Sequence, residues 1–172
     1  MADIINETKA MLSTTAGRWA ALAKALPAEL MTRPAAEGEW SAAQCLSHLL
    51  DTEAMTFPVR LRVFLDGGDS LSAFNPESDG QDHSSTTPAQ LAAEFARHRA
   101  ESLALLDRVT PDMLNRRAHH AELGSVTLAE LLNEWVAHDL NHTVQAERAL
   151  MQAFIPASGP WRFYFADHDA GM

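Results

Sequence analysis

The chain has 172 residues, of which 47% are hydrophobic and 21% charged; this is the composition of one globular domain spanning residues 1–172 and excludes a disordered chain. Thirteen basic against 23 acidic side chains leave a formal charge of -10, which repels phosphate backbones and acidic lipid, so no nucleic-acid partner and no membrane association are expected. No apolar run reaches a membrane span, MADIINETKA lacks the features of a secretory signal, and Cys45 is the single cysteine, so a reducing, cytoplasmic location is expected.

In chain order, Ile5, Leu12, Trp19, Leu22 and Leu26, with Thr8 and Thr15 in the same row, recur at steps of three and four and predict a long helix stopped at Pro27. Pro27, Pro34 and Gly38 make the next stretch a connection. A second helix is predicted after Ser41, whose hydroxyl and Gln44 three residues on form a capping box; it bends or restarts at Pro58. Asp66 to Thr87 is polar, glycine-bearing and without helical period, a long crossover loop that can serve as a lid. Thr87, Pro88 and Gln90 then start a third helix, with Leu91, Phe95, Leu105 and Val109 on one face. Thr127 and Glu130 start the last, which runs to about Phe154. The tail is too rich in Gly and Pro for helix, and Trp161, Phe163, Tyr164 and Phe165 predict a segment packed back onto the body. Four amphipathic helices and no convincing strand pattern predict an all-α, four-helix bundle.

The last helix carries a row that is apolar at its ends and polar in the middle: Leu131, Trp135, His138, His142, Gln145, Ala149. Side chains at i and i+4 stack on one face, so His138 and His142 project together from the core-facing stripe. Buried imidazoles cost free energy unless their nitrogens find partners. A divalent metal satisfies two at once, whereas hydrogen bonds to backbone, carboxylate or water are the alternative. His48 lies on the flank of Cys45, Thr52 and Met55 and supplies a third histidine from another helix, completing a set with an open position. His98 falls on an inward row, where it is either a competing ligand or, the favoured reading, a core hydrogen-bond donor. His83, His119, His120 and His168 are expected in solvated loops or the tail. Cys45 is weighed as a fourth ligand and Glu134 as a partner of His138 or a base. Asp51, Glu53 and Asp139 are expected to be solvated or salt-bridged, and Arg60 and Arg62 to be surface arginines. HDLNH also invites comparison with the HExxH zinc-protease helix, but Asp139 stands where the glutamate would be and no strand-rich half accompanies it.

WSAAQCLSHLLDTE, followed far downstream by HAELGSVTLAELLNEWVAHDLNHTVQAER, resembles the DinB-like, or DinB/YfiT-like, superfamily of metalloenzymes over nearly the whole chain. The resemblance implies a four-helix bundle in which His48, His138 and His142 bind a divalent ion, zinc or nickel. It implies a class of chemistry only: thiol-dependent transferases and isomerases on one side, metal-dependent hydrolases on the other. The leading expectation is a low-molecular-weight-thiol-dependent S-transferase acting on a small-molecule substrate, with the thiol as cosubstrate. Metal-dependent hydrolysis is the alternative, and a noncatalytic metal-stabilised stress or binding protein the third. A homodimer is expected because bundles of this size often pair. No catalytic residue or thiol-binding residue is assigned.

Overall fold

A computed structural model describes residues 3–171. Helix α1 (Ile4–Ala25) begins at Asp3, whose carboxylate accepts from the Asn6 amide, and buries Thr8, Leu12, Thr15 and Trp19. The following connection holds a short helix, α2 (Ala28–Thr32), and returns through an isolated antiparallel bridge between Pro34 and Ser41. Ser41 closes its capping box with Gln44 at the start of α3 (Ala42–Met55). The helix breaks at Thr56 and resumes as α4 (Phe57–Leu65). Pro58 causes this, because its ring removes the amide that would continue the ladder.

The long connection from Asp66 to Thr87 contains a two-residue strand, β1 (Ser70–Leu71), and a single helical turn, α5 (Pro76–Asp79). Capping boxes at Thr87–Gln90 and Thr127–Glu130 start α6 (Pro88–Leu106) and α7 (Leu128–Met151). Between these helices the chain forms a hairpin of β2 (Arg117–His120) and β3 (Gly124–Thr127). β2 pairs antiparallel with β3 and parallel with β1, giving a three-stranded sheet of order β1-β2-β3. The sheet corrects the strand-free expectation. Its strands have two to four residues each, too short for a two-residue period to stand out.

The main helices form a four-helix bundle in which α1 and α3 each pack against both α6 and α7. The chain therefore crosses the bundle diagonally between α1 and α3, and again between α6 and α7. The apolar core falls into two parts. One gathers Trp19, Met31, Leu46, Leu50 and Phe95; the other gathers Leu12, Phe57, Leu61, Leu132 and Trp135. No helix among the described residues is long and apolar enough to cross a membrane.

The tail also differs from expectation. Residues Gly159–His168 form 3-10 turns, and Trp161, Phe163 and Tyr164 are 66%, 78% and 74% exposed, whereas Phe165 is half-buried as expected. The segment is held by polar contacts instead: Arg162 pairs with Asp169 at 2.5 Å, and Gln152 bonds to the His168 carbonyl and the Ala170 amide. These bonds fix the backbone of the turn without requiring the rings to be buried.

Candidate metal centre

Helices α3 and α7 pack side by side, and their facing rows bring His48, His138 and His142 together. One ring nitrogen from each lies within 4.8 Å of the other two. His48 Nε2 and His138 Nε2 are 3.0 Å apart. The ring centroids are 5.1 Å apart for His48 and His138, 4.5 Å for His48 and His142, and 4.6 Å for His138 and His142. All three rings are half-buried. Trp40, delivered by the bridged connection before α3, stacks on His142 at 5.7 Å and leans on His48 at 5.2 Å. Phe57, at the α3–α4 break, meets His138 edge-on at 5.1 Å. These rings pack against the cluster and hold its imidazoles in place.

Electrostatics keeps the cluster neutral. Burial, followed by the neighbouring His142, lowers the pKa of His48 to about 4, with Asp51 acting in the opposite sense. Burial lowers His138 to about 3, helped by His142, His48, Arg99 and Arg60. Burial also lowers His142, against the hydrogen bond to Gln145 and the charge of Asp139. Neutral imidazole is the form that ligates a metal.

The tautomers fit a cation as well. His142 Nδ1 lies 2.9 Å from Gln145 Oε1, an acceptor, so Nδ1 carries the proton and Nε2 keeps its lone pair. At 3.0 Å, the Nε2 atoms of His48 and His138 can satisfy each other only if one is a donor. A shared cation accepts both lone pairs. His138 Nδ1 is buried without a hydrogen-bond partner among the described residues, so Glu134 is not its acceptor. The residues present therefore suit a divalent cation bound by three neutral imidazoles.

The other sequence candidates are sorted by the fold. Cys45 is fully buried, burial pushes its thiol up to about 12, and it stands outside the three-histidine group; packing is its evident role. Asp139, between the two histidines of α7, points the other way. It takes both Arg99 Nη atoms, at 2.7 and 3.1 Å, while Glu53 accepts from Arg99 at 2.8 Å and from Trp135 Nε1 at 3.2 Å. Arg99 also donates to the Leu12 carbonyl at 3.1 Å. Burial would lower the arginine's pKa, but Asp139 and Glu53 outweigh it and raise it. Asp139 thus has no freedom to act as a base. Arg99 itself escaped the sequence reading, although Leu91, Phe95, Arg99, Ser102 and Leu106 form the buried row of α6. A charge in that row hid it, and His98 consequently lies on the flank beside Arg97 and Glu101, not in the core.

Two other histidines are less solvated than expected. His83 is half-buried and bonds Asp51 at 2.8 Å, and the Gln81 amide donates to the same carboxylate at 3.1 Å. The long connection is thereby pinned to α3 one turn after His48. Gly80 is needed at this closure, since a Cβ there would fall 2.6 Å from the Pro76 carbonyl and 3.2 Å from Asp51 Oδ2. His120 is 5% exposed, on the inward face of β2. Arg60, expected at the surface, is half-buried beside it; Arg62 is exposed.

Two clefts flank the cluster. One, of about 370 Å³, is lined by Trp40, Gln44, Ser47, His48, Asp51 and Gln81. The other, of about 260 Å³, is lined by His48, His138, Phe57, Arg60, His120 and Glu134.

The family model of the DinB superfamily matches residues 11–146. The chain belongs to the DinB superfamily. Among solved structures it is similar to YfiT from Bacillus subtilis, a protein with an unusual four-helix bundle topology, at 17% sequence identity and a TM-score of 0.76 over 89% of both chains. At that identity the likeness shows the fold alone. The curated proteins contain no match to this DinB-superfamily chain.

Proposed function

We propose that this DinB-superfamily chain is a metal-dependent enzyme in which His48, His138 and His142 hold a divalent cation, zinc or nickel, and which transfers a low-molecular-weight thiol onto a small electrophile. The observation that carries this reading is that His48 lines both clefts. A transfer between two molecules requires both to reach one centre, whereas hydrolysis requires one cleft and water. The polar cleft along Gln44, Ser47 and Asp51 suits a polar cosubstrate such as a thiol. The cleft walled by Phe57, Phe74 and Leu123 suits a less polar electrophile.

Bound to the three histidines, a divalent cation supplies Lewis acidity and lowers the pKa of a thiol or water in contact with it. The chain's own residues do the rest. Gln145 fixes the His142 tautomer, and Trp40 and Phe57 hold the rings in place. Glu134 lines the second cleft, where desolvation raises its pKa against the pull of Arg60. That direction favours accepting a proton from an incoming nucleophile at neutral pH.

The same Glu134 favours hydrolysis as a second reading, and YfiT is named a probable metal-dependent hydrolase. Zinc- and nickel-loaded protein assayed with a panel of thiols and electrophiles separates the two. Thiol-dependent turnover that disappears in His48→Ala supports transfer. Ester turnover without thiol, abolished by chelator, supports hydrolysis. Neither turnover nor thiol binding, together with chelation that unfolds the protein, supports a purely stabilising metal.

A homodimer is proposed on the exposed rings of Trp161, Phe163 and Tyr164. Light scattering that gives a monomer mass at working concentration removes it.

A further inference from the structure

His120 and Arg60 meet in a contact that ordinary hydrogen bonding does not explain. The hairpin turn after β2 sends the Glu122 and Leu123 amides back to His120 Nδ1, at 3.2 and 3.4 Å. Gly124, at φ +77°, lets the chain reverse there. Both amides are donors, so Nδ1 is an acceptor and the ring proton sits on Nε2. Arg60 Nη2 lies 3.0 Å from that same Nε2. An arginine has no acceptor atom. Two N–H groups therefore face each other across 3.0 Å, with no acceptor between them among the described residues.

The surplus extends further. Arg60 Nε is buried with no hydrogen-bond partner among the described residues, and Arg60 Nη2 is held in place by the Ser72 carbonyl at 3.0 Å, at the end of β1. His120 is 5% exposed. The small sheet thus fixes two donors on the wall of the cleft that also contains His48 and His138. A ligand oxygen carrying negative charge is the group that resolves such a convergence, since charge-assisted bonds to two donors are about twice as strong as neutral ones.

Glu134 and Glu122 line the same cleft, so the site tolerates one negative charge more readily than two. That favours a carboxylate over a phosphate. Beyond Arg60 and His120 a second, mostly apolar pocket of about 210 Å³ continues along Leu71, Leu123, Val126 and Leu131, with room for an aliphatic or aromatic body. We propose that Arg60 and His120 form a carboxylate-binding subsite, and that the small electrophile acted on at the three histidines is a monocarboxylate with an apolar body. This deepens the reading of that cleft as the reaction site and rests on it for the word substrate, but the binding claim stands on the sheet and Arg60.

The test titrates hexanoate, 1-hexanol and inorganic phosphate calorimetrically into metal-free and zinc-loaded protein, wild type and Arg60→Gln and His120→Gln. Hexanoate is expected to bind the metal-free wild type, at least tenfold tighter than 1-hexanol or phosphate, and to weaken at least tenfold in Arg60→Gln. Should a variant fail to fold, ring nitrogen-15 NMR of the wild type decides: His120 carries its proton on Nε2, and that signal moves on adding hexanoate. Equal hexanoate affinity in wild type and Arg60→Gln overturns the subsite, as does a His120 proton on Nδ1. Hexanoate bound by the zinc-loaded form alone, unaffected by Arg60→Gln, places the carboxylate on the cation and also overturns it. Arg60-dependent hexanoate binding in a protein that takes up no zinc supports the subsite while removing the metal reading.

Discussion

His138 and Asp139 are consecutive on α7, yet they belong to two polar clusters built in opposite ways. In the first, Arg99, Glu53 and Asp139 are 1%, 1% and 2% exposed, and the arginine finds two carboxylates and a carbonyl. It joins α1, α3, α6 and α7 at the junction of the two apolar cores, with its guanidinium 4.8 Å above Phe95 and 5.8 Å from Trp135. In the second, three half-buried neutral imidazoles bring one ring nitrogen each within 4.8 Å of the other two, and His138 Nδ1 has no partner among the described residues. The first cluster pairs its charges, although Arg99 Nε and Glu53 Oε1 have no hydrogen-bond partner among the described residues, and a cluster of paired buried charges holds a structure together. One built of neutral imidazole nitrogens crowded together is ready for a cation.

The largest effect separating the two clusters is expected from Arg99→Met. It strands two buried carboxylates, and urea unfolding should show a loss of about 3–5 kcal/mol. Replacing all three groups at once, in Glu53→Leu/Arg99→Met/Asp139→Leu, should recover most of it; if the triple variant is as unstable as the single one, the cluster acts through something other than charge pairing.

His138→Ala should behave in the opposite manner. Metal-free stability should stay within about 1 kcal/mol of wild type, while zinc affinity measured by competition falls by more than the roughly 100-fold typical of outer-shell changes. The pH dependence sharpens this. His48 and His138 titrate near 4 and 3 when folded and near 6.5 when unfolded, so between those values the unfolded chain binds more protons. Metal-free stability should therefore be fully present above about pH 6.5 and decline as pH falls toward 4 and then 3. Thermal melts should show a shallower decline in His138→Ala, and an unchanged slope would argue against the buried, neutral state of this ring.

Gln145→Leu removes only the acceptor that orients His142. Zinc affinity should drop by about 10- to 100-fold with little change in metal-free stability. The smallest effect is expected from Ser41→Ala, which breaks the capping box of the helix that carries His48; chemical denaturation should register about 1 kcal/mol.

The helices were legible because their evidence is local. Ser41–Gln44, Thr87–Gln90 and Thr127–Glu130 all form the capping boxes their spacing announces, and the i, i+4 step puts His138 and His142 on one face before any packing is known. His48 was legible through the apolar row it interrupts. Arg99 was not, because a buried cation in a helix row looks like a surface residue until its carboxylates, 40 and 46 positions away in the chain, are brought to it. His120 was not legible either, since its environment depends on a sheet whose strands come from both sides of α6.

By itself, then, the sequence determined the helices, their caps and which face of each turns inward, since hydrogen bonds and side-chain periodicity act within a few residues. Only the tertiary structure decided which inward polar groups become partners. It gave Asp139 to Arg99 and left three imidazoles facing one another. It also set Arg60 against Nε2 of a buried histidine. Burial and charge pairing depend on distances in space, and the diagonal crossings of this bundle separate those distances from position along the chain.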